Sequence, residues 1–167
     1  MRTRVVLAVT AALLGGLFSG IQPAGAAPHG ALCHIKGKAT FSKPLGQKPR
    51  PVTYSFTGKL DNCGSSTKGY SSAAISATGS GKLSCGQGSS TGVATVTWKP
   101  SNRTSTVKYS TTSFAALVDV QGKVTKGQFK GDPSQGALIF EARPQDCFGK
   151  GVRSAGFDGA DGYGNYK

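Results

Sequence analysis

The stretch whose reading decides the fold is ATGSGKLSC, Ala77–Cys85. Its Gly81-Lys82 pair invites comparison with a phosphate-binding loop, G-x-x-x-x-G-K-[ST], whose backbone N–H groups cradle phosphates ahead of a helix. That pattern needs a glycine where Ser76 stands and a hydroxyl residue where Leu83 stands, and no helix signal follows. Alternation is the stronger regularity. Ile75, Ala77, Gly79, Gly81, Leu83 and Cys85 fall on one side, Ser76, Thr78, Ser80, Lys82 and Ser84 on the other. A period of two is the signature of a β-strand with one buried face. Glycines inside such a strand mark a bulge or a sharp bend, as barrel corners need. The segment is therefore expected to be a strand ending in a cysteine, and no nucleotide is expected.

The same pattern runs outward along the chain. Cys33, Ile35, Ala39 and Phe41 oppose His34, Lys36, Lys38 and Thr40, and Val52, Tyr54, Phe56 and Leu60 oppose Thr53, Ser55, Thr57 and Lys59. Further strands are expected at residues 93–98, 104–110, 113–120, 123–130, 137–141 and 152–157. Turns are expected at Gln87–Thr91, Pro100–Asn102, Gln121-Gly122 and Asp132–Gln135. Short connections favour hairpins, so the expected fold is all-β, an antiparallel meander closed as a barrel of about eight strands. An immunoglobulin-like sandwich is the alternative, because Cys85, Trp98 and Cys147 resemble that family's Cys…Trp…Cys spacing. The resemblance covers only the second half of the chain, and the family's tyrosine two residues before the second cysteine is Gln145 here. The local echo of GKLDNCG (58–64) in GKLSCG (81–86) has unequal spacing and reads as two strand ends, not a repeat.

The N-terminus carries Arg2 and Arg4, an apolar run from Val5 to Ile21, and Ala24-Gly25-Ala26. This is the layout of a secretory signal peptide over residues 1–26, leaving a single β domain over 27–167 with a frayed Gly-rich tail from about 158. No other long apolar run exists, so no transmembrane segment is expected in the mature chain, which is expected to be secreted. The formal charge of +13 becomes +11 once Arg2 and Arg4 leave with the signal peptide. Four cysteines in an exported chain read as two disulfides; a zinc site is the rival, but no Cys-x-x-Cys pair exists. Hairpin pairing of 33–41 with 52–60 brings Cys33 opposite Cys63. Cys85 is then left for Cys147.

Catalytic motifs are weak. Gly88-Ser-Ser90-Thr-Gly92 fits G-x-S-x-G, but both histidines, His29 and His34, precede Ser90 and a strand follows, so a hairpin turn is expected. His29 is expected to sit in a loose terminus, and Pro28 before it removes a backbone nitrogen that a copper or nickel site at that terminus needs. Asp158, Asp161 and Asn165 lack the order of a calcium loop. No cofactor and no metal are expected, and no catalytic residue is assigned.

The signal-like N-terminus, the Gly/Ser/Thr-rich strands and GKVTKGQFKGD (122–132) make the chain similar to small exported proteins of actinobacteria without assigned function. That resemblance implies a secreted all-β domain and no activity. It is unlike the actinobacterial subtilisin inhibitors, which share only the cysteine count. Two surface features remain. His34, Lys36, Lys38, Lys59 and Lys82 are expected to form an outward cationic face for an anionic cell-wall polymer or polysaccharide, although lysines on strand faces also protect sheet edges. Five prolines follow a basic residue (Lys43, Lys48, Arg50, Lys99, Arg143), which hardens those loops against trypsin-like cleavage. The leading expectation is a non-catalytic binding or structural domain. A protease inhibitor or antimicrobial effector comes second, and a hydrolase with an unrecognised site third.

Overall fold

The computed structural model describes residues 30–65 and 69–164. The expected signal peptide, His29 and Asn165 lie outside them. Eight strands follow in order: β1 (Gly30–Leu45), β2 (Arg50–Ser65), β3 (Tyr70–Leu83), β4 (Gln87–Pro100), β5 (Thr104–Phe114), β6 (Leu117–Gly127), β7 (Pro133–Glu141) and β8 (Val152–Gly164). One short helix, α1 (Pro144–Phe148), lies between β7 and β8. Each strand pairs antiparallel with its neighbours in sequence, and β1 pairs with β8, so the sheet closes into a barrel. Closure removes both sheet edges, which is how an up-and-down sheet of this size avoids edge-to-edge association.

The alternation seen in the sequence is the inside and outside of this barrel. On β1 the inward residues Cys33, Ile35, Ala39 and Phe41 are buried, and on β2 so are Val52, Phe56 and Leu60. Register follows from that pattern: Ile35 faces Leu60 and Ala39 faces Phe56. A slip of one residue would turn every one of these side chains to solvent.

One end is plugged by aromatics. Trp98 is fully buried and makes edge contacts with Tyr70, Phe129 and Tyr163 at centroid distances of 5.6, 5.4 and 5.2 Å. Its indole N–H donates to Ser105 Oγ at 2.9 Å, and Ser105 donates in turn to the Gln128 carbonyl at 2.6 Å. Phe129 sits at φ +62°, a left-handed conformation unfavourable for a bulky residue. The turn holds it there because the ring covers Trp98. The Cys33–Cys63 disulfide staples β1 to β2 near this end. At the other end, Cys85–Cys147 ties the β3–β4 turn to α1.

Several local expectations are corrected. Gln87–Thr91 is not a turn but the first third of β4; the turn is 84–86, where the Ser84 hydroxyl donates to the Gln87 carbonyl at 2.7 Å and accepts from its N–H at 3.0 Å. Gln121-Gly122 lies inside β6, and the reversal comes at Ala115-Ala116, so the expected strand 113–120 is divided between β5 and β6. Glycine misled both readings: Gly88 and Gly122 are strand glycines packed against neighbouring backbone. The expected frayed tail from 158 is instead the second half of β8, paired to β1 as far as Gly164 opposite Gly30. The sandwich alternative does not hold.

Candidate functional site

The lumen of the barrel is not filled. Small inward residues, Ala39, Ala77, Ala94 and Gly136 among them, leave a cavity of ≈ 130 Å³ bounded by Ile35, Phe56, Ile75, Val107, Leu138 and Phe157. Its lining continues to Leu45, Leu83, Cys85, Ser113 and Ala115, at the end opposite the Trp98 plug. Around that mouth the side chains of Phe114 and Phe148 are 81% and 72% exposed. Eight-stranded barrels are wide enough either to be filled by side chains or to hold one small ligand, and this one leaves room for a ligand.

The glycines of the opening stretch shape the lumen. Gly79 on β3 pairs with Gly92 on β4, and both point inward. A Cβ on Gly79 would lie 2.5 Å from the Tyr54 hydroxyl, and one on Gly92 would press still harder on that of Tyr109. The two rings lie across this bare patch of sheet. Their hydroxyls bond to each other at 2.9 Å, that of Tyr54 also meets Ser90 Oγ at 2.9 Å, and Ser90 Oγ meets Thr111 Oγ1 at 2.7 Å. Four hydroxyls from β2, β4 and β5 thus form one connected cluster in a mostly apolar lumen. Burial, and then the neighbouring Tyr54, push the Tyr109 phenol well above its ordinary range, so it stays protonated.

Deeper in the lumen stands Asp161 of β8, 6% exposed. It faces inward with Phe157 and Tyr163, while Asp158 faces outward, so the two acids do not share a site. The Tyr163 hydroxyl donates to Asp161 Oδ2. Oδ1 is buried without a partner of hydrogen-bond geometry among the described residues, although Ser134 and the Gly162 N–H lie close enough to favour the charged form. Desolvation outweighs these and pushes the carboxyl up to about 7. Among the described residues, no lysine, arginine, histidine or glutamate lines the cavity.

On the outside, the barrel brings together four of the five residues expected to make a cationic face. Lys36 and Lys59 are register partners on β1 and β2, with Lys38 two residues along and His34 beside them. Lys82 lies eight residues along β3 from Ala74, the partner of Lys59, roughly 26 Å away at the rise of a strand. The face is also less cationic than expected. The His34 ring donates from Nδ1 to Asp61 Oδ1 and from Nε2 to Asp158 Oδ1, both at 2.8 Å, and Lys36 Nζ is 3.0 Å from Asp158 Oδ2. Asp158, and then Asp61, raise the His34 pKa; Asp158 raises that of Lys36; both cations lower that of Asp158. Lys38, Lys59 and Lys82 remain exposed.

Sequence reasoning missed Tyr54, Ser90, Tyr109 and Asp161 as site residues. The alternation of β2 places Tyr54 inward, and continuing the alternation of Phe157 and Gly159 through Asp161 to Tyr163 is the available signal for the acid. Ser90 was hidden by the apparent turn. Among the described residues no group of three or more His, Cys, Asp or Glu side chains is arranged to hold a metal ion, and no helix is long and apolar enough to cross a membrane. Comparison with known proteins gives no family model, no curated protein and no solved structure that matches this chain.

Proposed function

We propose that the protein is an exported, non-catalytic binding barrel whose lumen takes one small, largely apolar molecule. The observation that carries this reading is the ≈ 130 Å³ lumen with its hydroxyl cluster on one wall. Ligand sites are mostly apolar with a few placed polar groups that fix orientation. An apolar cavity of about 150 Å³ accepts benzene, so a body of about one ring is the right size. Binding fits better than catalysis because Ser90 is bonded only to other hydroxyls, with no histidine or carboxylate to activate it. Two disulfides in a domain of this size fit an oxidising compartment.

Titration with benzene and 2-phenylethanol, followed by methyl NMR, tests the reading. Saturable shifts at Ile35, Ala77, Ala94 and Val107 are expected, and Ala94→Phe should abolish them by filling the space. Shifts confined to outward residues would refute a lumen site.

A second reading is supported by the net charge and the exposed Lys38, Lys59 and Lys82: retention on anionic cell-wall polymer. Such binding should be lost at 0.5 M salt and in a Lys38→Glu/Lys59→Glu variant, because exposed charges are screened within a few ångströms there. The pairing of His34 and Lys36 with acids makes it the weaker of the two.

A further inference from the structure

Resting on the lumen reading above, we infer that Asp161 is the anchor for an amine, so that the ligand class is a small primary or secondary amine on an apolar body of about one ring. A buried acid without a counter-charge is costly and needs an explanation. Asp161 Oδ2 accepts from Tyr163, with Ser134 and the Gly162 N–H nearby, while Oδ1, without a partner of hydrogen-bond geometry among the described residues, is turned over Gly136. At Gly136 an added Cβ would stand 3.1 Å from Oδ1, so a side chain there would press on that oxygen; Oδ1 is itself buried, and an ammonium meets it when the carboxyl turns toward the lumen. Both residues line the cavity.

The surroundings select for the ligand's charge. Tyr163 on the same strand and Ser134 on β7 present hydroxyls, the Gly162 N–H lies on the backbone, and the hydroxyls of Tyr54 and Tyr109 line the lumen. None supplies a cation. An anionic ligand would meet the carboxylate with no neutralising partner. A neutral one would leave the carboxylate without a counter-charge whenever the acid ionised. An ammonium supplies both the donor and the charge, and its hydrogen bond to a carboxylate is among the strong ones.

The proton balance follows. Below about pH 7 the empty site holds a neutral carboxyl, so seating an ammonium there releases the carboxyl proton to solvent and forms an ammonium–carboxylate pair. Binding of the amine should therefore tighten as pH rises from 5 to 8, and binding of a neutral ligand should not. At the end of this range the ligand remains an ammonium and the carboxyl is already ionised.

The test uses 2-phenylethylamine and 2-phenylethanol, which differ only in the polar group, titrated calorimetrically into the full mature chain at pH 5.5 and pH 8. The expected result is an amine preference of about tenfold or more at pH 8, shrinking at pH 5.5, with proton release seen as a buffer-dependent heat at the lower pH. In Asp161→Asn the preference should vanish while 2-phenylethanol still binds. An amine that binds no better than the alcohol at pH 8 overturns the assignment of Asp161 and leaves the lumen reading standing. Failure of both to bind overturns the lumen reading and this inference with it. Should Asp161→Asn fold poorly, the pH profile of the unmodified protein decides on its own: a flat profile for the amine overturns the inference.

Discussion

Tyr54 and Tyr109 join hydroxyls at 2.9 Å across the paired glycines Gly79 and Gly92, although three strand pairings separate β2 from β5. The glycines that looked like a phosphate loop are the floor on which two tyrosines rest.

Substituting Gly79 by alanine therefore has a specific cost. The new Cβ would meet the Tyr54 hydroxyl at 2.5 Å and the Thr91 carbonyl oxygen at 2.8 Å, and the latter is backbone that cannot step aside. Overpacking of this kind costs about 1–3 kcal/mol. Urea denaturation should show a lowered midpoint for Gly79→Ala. Gly46→Ala, where an added Cβ meets nothing within 4 Å, should stay close to the parent. Equal stability of the two variants would show that Tyr54 does not lie over Gly79.

Asp161 gives stability an unusual pH dependence. Its folded value of about 7 lies above the ordinary 3.8. Below pH 3.8 the acid is protonated in both folded and unfolded chains. Between 3.8 and 7 only the unfolded chain loses the proton, so stability contributed by this group falls as pH rises and levels off above 7. The full difference is on the order of 4 kcal/mol. Asp161→Asn cannot ionise, and its stability relative to the parent should grow across that window. A difference between the two proteins that is constant from pH 4 to 8 would contradict the buried, unpaired carboxyl.

His34 and Asp158 act in opposite directions. The raised His34 pKa contributes stability below 6.5 that is lost as pH rises through the raised value; the lowered Asp158 pKa contributes stability above 3.8 that is lost as pH falls through the lowered value. Both groups are exposed enough for salt to weaken them. An NMR titration should place His34 above an ordinary histidine, and Asp158→Asn should bring it down further than Asp61→Asn does. The reverse order would assign the dominant contact to Asp61.

The plug should fail if its tryptophan is cut back. Trp98→Ala removes the ring that Tyr70, Phe129 and Tyr163 share and leaves Ser105 without its donor. The expected loss is about 3–5 kcal/mol, read as a fall in melting temperature. Trp98→Phe keeps the ring contacts but orphans the Ser105 oxygen, so a smaller loss of about 1–3 kcal/mol is expected. If Trp98→Phe costs as much in a Ser105→Ala background as in the parent, the indole hydrogen bond is not the reason for the loss.

Period-two alternation needs no tertiary information, so β1 and β2 were legible from Cys33–Phe41 and Val52–Leu60 alone. The disulfide pairing followed from their hairpin, and Cys33–Cys63 and Cys85–Cys147 are the bonds formed. Alternation also has a blind spot. It separates two faces without saying which polar residues belong inside, and Ser90 and Asp161 were assigned by residue type to a turn and a tail. Both are inward residues of regular strands, where burial overrides the usual preference of serine and aspartate for solvent. Glycine carries the same ambiguity, because it serves turns and close approaches alike.

What the sequence determined by itself is local: strand faces, hairpin neighbours, the covalent staples and a surplus of positive charge. Closure belongs to the tertiary structure. It sets Lys36 opposite Asp158, which neutralises part of the expected cationic face, and it turns the aligned inward faces of eight strands into one lumen holding Tyr54, Ser90, Tyr109 and Asp161. No local pattern encodes either result, because each depends on bringing together residues far apart in the chain whose separate strands look ordinary on their own.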